Sequence, residues 1–68
     1  MTAAALEYTG IPLRMTGEDG NAFAIIARAR RALRAFRRPE LVEPFTARAA
    51  AGSYYDLLAL CEQVFEVL

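Results

Sequence analysis

The residues with chemical potential in this chain of 68 are few, and most are arginines. Arg28, Arg30, Arg31, Arg34, Arg37 and Arg38 place six of the eight basic residues within "RARRALRAFRR", a stretch with no acid in it. A guanidinium is a planar fork that donates two parallel hydrogen bonds, so it suits carboxylates and phosphates. The chemistry this stretch offers is therefore recognition of an anionic surface. For nucleic acid, each phosphate contact adds to an affinity that falls with salt. The bland alternative is a solvated helix face, partly neutralised by Glu40, Glu43 and the acids near the C-terminus.

The groups needed for catalysis are sparse. There is no His. Cys61 has no base to activate it and lies on an apolar stripe, which suits a buried structural thiol. Glu18 and Asp19 are neighbours in a turn, and nothing near them splits their pKa values for acid–base work. No catalytic residue and no cofactor is expected. Metal ligands are also lacking: "EDGN" (19–21 with Glu18) has the acids of part of a calcium loop without its bidentate Glu, and zinc ligands are absent. "GEDG" matches the GxxG loop of KH domains in letters alone, since its acidic centre would repel phosphate.

Formal charge is zero, so no global field draws the chain to nucleic acid. No helix-turn-helix or RNA-binding signature is visible, and aromatic residues look scarce on the basic side, with Phe36 assigned to the apolar side. These points favour a protein partner, or a second copy, over nucleic acid. The expected contact residues are Arg30, Arg31, Arg34, Arg37, Arg38 and Tyr55. Of Tyr54 and Tyr55, one is expected to face the core and the other to stand exposed, where Tyr favours interfaces.

The elements that position these groups follow from periodicity. "GEDGN" is a turn in which Asn21 or Asp19 can cap a helix. That helix is expected over about 21–37, with Ala22, Ile25, Ile26, Ala29, Leu33 and Phe36 in a core-facing sector about 100° wide. The arginines occupy the rest. Pro39 ends the helix and can open the next turn. A second helix, kinked at Pro44, is expected within about 40–51, with Val42, Phe45 and Ala49 on one face and Gly52 as its stop. "SYYD" reads as a capping box for a third helix, with Leu57, Leu58, Cys61, Val64, Phe65 and Leu68 as its stripe. Leu13 and Met15 alternate with polar residues, so a strand is expected near 11–16. Residues 64–68, "VFEVL", fit either the end of the third helix or a short strand pairing with 11–16.

The expected fold class is mainly α: one compact three-helix domain spanning 1–68 with a short N-terminal strand, and residues 1–5 disordered. At 56% apolar residues, such a chain can build a core without disulfides and leave an apolar patch for a partner. The single Cys favours a reducing compartment. The N-terminus has no signal-peptide pattern and no segment is long and apolar enough to span a bilayer, so a cytoplasmic protein is expected.

The strings "TGEDGNAFAIIARARRAL" and "FTARAAAGSYYDLL" resemble an uncharacterised family of short bacterial, plasmid and phage-encoded proteins with a G-x-DGNAF motif. The matching positions include Gly17, Asp19, Gly20, Asn21, Ala22 and Phe23, then Phe45, Ala49, Gly52, Asp56, Leu57 and Leu58. Two positions depart from the family pattern. Arg48 stands where an acid is expected, and Ser53 with an extra Tyr replaces "GDYD". The resemblance implies a strand followed by a turn into a helix, and a mobile-element setting. It implies no activity.

Overall fold

The computed structural model of the chain describes residues 6–15 and 21–68. The expectation of disorder over 1–5 and the Asp19 cap fall outside them. Strand β1 (Ile11–Leu13) is followed by helix α1 (Ala22–Ala35), a 3-10 turn (Pro39–Leu41), helix α2 (Val42–Ala51), helix α3 (Tyr54–Val64) and strand β2 (Phe65–Val67). Three helices thus carry the chain between two short strands, which pair in parallel with Ile11 opposite Phe65 and Leu13 opposite Val67. Parallel strands need a long crossover, and here almost the whole domain supplies it. The Cα radius of gyration is 11.0 Å, the value of about 11 Å expected for a packed chain of this length.

The "VFEVL" alternative resolves as helix to Val64 and strand from Phe65. Strand pairing is tied at both ends: the Thr9 amide donates to the Val64 carbonyl (2.7 Å), and the Leu68 amide donates to Leu13 (2.9 Å). Gly10, at φ 74°, takes the left-handed turn that leads into β1.

Helix α1 begins where Asn21 accepts a hydrogen bond from the Phe23 amide at 2.8 Å. It ends in a Schellman arrangement. The Arg38 amide donates to Leu33 (2.7 Å) and the Arg37 amide to Arg34 (3.1 Å), which places Arg37 in the left-handed region at φ 62°. Glycine is the usual residue there, and Arg37 holds it at a steric cost.

The kink expected at Pro44 is replaced by a change of helix type upstream. The 3-10 turn opened by Pro39 hands over to α2 at Val42, so Pro44 is the third α2 residue. At that position an amide has no intrahelical acceptor, and proline loses nothing by lacking one. Helix α3 starts on a complete capping box: the Ser53 hydroxyl accepts from the Asp56 amide (3.2 Å) and the Asp56 carboxylate from the Ser53 amide (2.9 Å).

The core is built from Ile11 and Leu13 of β1, Ile25, Ala29 and Leu33 of α1, Phe45 of α2, and Leu57, Leu60, Cys61 and Val64 of α3, with Phe65 of β2. Two expected core positions are corrected. Phe36 is 53% exposed, because it is the residue on which α1 ends and the chain turns away there. Leu68 is also exposed, and Leu60 takes its share, because the strand breaks the α3 periodicity after Val64.

Candidate functional site

The exposed side of α1 is the site the arginines define. Ala27, Arg30, Arg31 and Arg34 line a shallow open recess of about 300 Å³. All four come from one helix, at spacings that bring them onto a common face. Arg31 and Arg34 are exposed and Arg30 is half-buried. The Nε of Arg30 is covered and donates to nothing. Among the described residues, Arg30, Arg31, Arg34 and Arg37 have no carboxylate within 4.0 Å.

Arg38 is different. Its Nε donates to Glu40 at 2.8 Å and its terminal amine lies 3.4 Å from Glu7. The Glu40 carboxylate, and less strongly Glu7, hold the guanidinium further towards its charged form. In return the Arg38 hydrogen bond lowers the pKa of Glu40. Arg38 therefore closes the end of α1 onto the N-terminal segment, and its charge is already answered within the chain.

Tyr55 lies on α3 and does not line the α1 recess. It is 80% exposed and Tyr54 is 40% exposed, so neither ring is in the core as one was expected to be. The two rings meet edge to face, 6.0 Å apart. Of the expected contact residues, the fold thus unites Arg30, Arg31 and Arg34. Arg37 sits exposed at the helix end, Arg38 is engaged, and Tyr55 is elsewhere.

One residue was missed. Phe23 is 83% exposed, in the first turn of α1. Ala27, Arg30, Arg31 and Arg34 follow it at four, seven, eight and eleven residues, so the ring shares the arginine face. The helical spacing that sorted the apolar residues was enough to find it. The basic face is thus not short of an aromatic group, as Phe36 alone had suggested.

A second open recess, about 360 Å³, lies between α2 and α3 beside Arg48, Gly52, Asp56, Ala59 and Gln63. Its one carboxylate is committed to the capping box. Cys61 is fully buried, and desolvation first, then the Glu62 charge, push its thiol up to about 11. A thiol so placed is a poor nucleophile at neutral pH. Among the described residues no three His, Cys, Asp or Glu side chains converge as metal ligands, and no helix is long and apolar enough to cross a membrane. The chain matches no protein-family model, and comparison with curated proteins and with solved structures returns no match.

Proposed function

We propose that this chain is a small non-enzymatic interaction module, acting in the cytoplasm, that docks an acidic protein surface on the outer face of α1. The reading rests on one observation: Arg30, Arg31 and Arg34 share a recess and find no acid within the described chain. Desolvated guanidinium–carboxylate pairs at such a face are where charge complementarity sets partner choice. The mobile-element setting implied by the G-x-DGNAF resemblance belongs to this proposal, and the coding neighbourhood would test it.

The direct experiment is retention on immobilised polyglutamate, compared with the triple variant Arg30→Glu, Arg31→Glu, Arg34→Glu. Retention of the parent and its loss in a folded variant are expected. Equal behaviour of the two would reject the surface.

A second reading is nucleic-acid binding by the same helix, and the exposed Phe23 ring favours it. Single strands are bound by basic grooves with aromatic platforms, and a stacked base contributes about 1–3 kcal/mol. A flat mobility-shift titration with oligothymidine at low salt would remove this reading.

A further inference from the structure

The outward face of α3 carries the counterpart of the face on α1. Counting from Phe23, the residues at four, seven, eight and eleven are Ala27, Arg30, Arg31 and Arg34. Counting from Tyr55 along α3, the first three of these offsets give Ala59, Glu62 and Gln63, and the exposed Glu66 follows in β2, past the end of the helix. Each row opens on a ring at least 80% exposed, continues to an alanine one turn on, and then presents charge. On α1 that charge is basic at seven, eight and eleven. On α3 it is acidic at seven, and β2 adds a second exposed acid, Glu66, just beyond the helix.

Ala59, Glu62, Gln63 and Glu66 are all exposed, and neither Glu62 nor Glu66 has a basic partner within 4.0 Å among the described residues. Both halves of a charge pair, Arg30 and Glu62, are thus present in one chain, unjoined among the described residues, on helices that each turn their opposite face to the common core.

We propose that the partner of the α1 face is the α3 face of a second copy of this chain. Aligned in register, Phe23 lies against Tyr55, the two alanines allow close approach, Arg30 meets Glu62, and Arg34 reaches the end of α3, beyond which the chain carries Glu66. Zero net charge fits this assignment, since copies of such a chain do not repel one another. The contact is heterologous: each copy offers a basic face to one neighbour and an acidic face to another, and it builds a ring or an open chain according to whether the rotation closes. The inference rests on the α1 face being an interaction surface, and adds what occupies it.

Sedimentation of the full chain across concentration tests it. The mean mass is expected to rise above the 7.5 kDa of one chain, and to fall back as salt goes from about 50 to about 500 mM. Two variants with native circular dichroism should each weaken association about tenfold or more: Arg30→Glu with Arg34→Glu, and Glu62→Arg with Glu66→Arg. Their equimolar mixture should recover it, because each then supplies what the other lacks. Phe23→Ala, which leaves every charge in place, should weaken it too.

A parent that stays at the mass of one chain up to about 1 mM at low salt overturns the proposal, as does association that the charge variants leave unchanged. The outcome for the α1 face itself remains separate. The Glu62→Arg, Glu66→Arg variant keeps that face, so its retention on polyglutamate alongside a monomeric parent would reject self-docking and leave the interaction module standing. Binding of oligothymidine by a monomeric parent would reject self-docking in favour of nucleic acid.

Discussion

The ring of Phe45 meets the ring of Phe65 edge to face, with centroids 5.6 Å apart and planes at 83°. This contact joins α2 to β2, and both residues are at most 1% exposed. It fixes the last strand against the middle of the domain, so strand pairing and helix packing depend on one another.

Phe65→Ala removes this anchor and leaves a cavity, at about 3–5 kcal/mol. A domain of this size has roughly 3–10 kcal/mol in total, so urea unfolding should find the variant mostly unfolded or close to it. Phe65→Leu, which keeps most of the volume, should cost less. A double-mutant cycle with Phe45→Leu should isolate a ring–ring coupling of about 0.5–1.5 kcal/mol.

Arg37→Gly should stabilise the fold. The left-handed backbone at φ 62° costs a non-glycine residue about 1 kcal/mol, against which glycine's greater freedom in the unfolded chain returns a part. The net gain should raise the melting temperature by a few degrees, at about 4–8 °C per kcal/mol. An unchanged or lower melting temperature would show that the Arg37 side chain contributes more than its backbone costs.

The start of α3 should tolerate little change. A Cβ added to Gly52 would lie 2.7 Å from the Asp56 Cβ and 2.8 Å from its carboxylate. Gly52→Ala must therefore displace the residue that completes the capping box. Ser53→Ala should cost about 1 kcal/mol by losing the cap alone. Gly52→Ala is expected to cost at least as much, and the two together less than their sum, because both act through Asp56. Additive losses in chemical denaturation would contradict this coupling.

Stability should fall in alkali through Cys61. Its folded pKa of about 11 lies above the ordinary value of 9.0. The folded state therefore holds the proton where the unfolded state has released it. The stabilisation is complete below about pH 9 and is lost as pH rises towards 11, by roughly 3 kcal/mol. Cys61→Ala should be less stable at pH 7, owing to lost packing, and show a shallower decline over that window. A parallel decline in both proteins would place the effect on other groups. Alkylation by iodoacetamide at pH 8 should likewise be slow until the chain is unfolded.

Local features were legible in the sequence wherever their cause is local. The Asn21 cap, the Ser53–Asp56 capping box, the stop at Gly52 and the α2 face of Val42, Phe45 and Ala49 each depend on residues within a few positions. The helical period placed Ile25, Ala29 and Leu33 in the core, and carried to its end it would have placed Phe23 among the arginines. The charge balance was also readable, and with it the question of whether the arginines find acids at home.

Tertiary structure decided the rest, because the deciding partner lies far along the chain. "VFEVL" is compatible with helix and strand alike until β1 and the residues leading into it offer their hydrogen bonds from more than fifty residues away, at Thr9 and Leu13. Arg38 looked like its neighbours until the fold brought Glu7 to it across 31 positions. Phe36 fitted the apolar stripe by angle, yet the chain leaves helical geometry there and the ring leaves the core. Periodicity states which side chains share a face. Only the packed chain states where that face ends, and which of its charges remain for a partner.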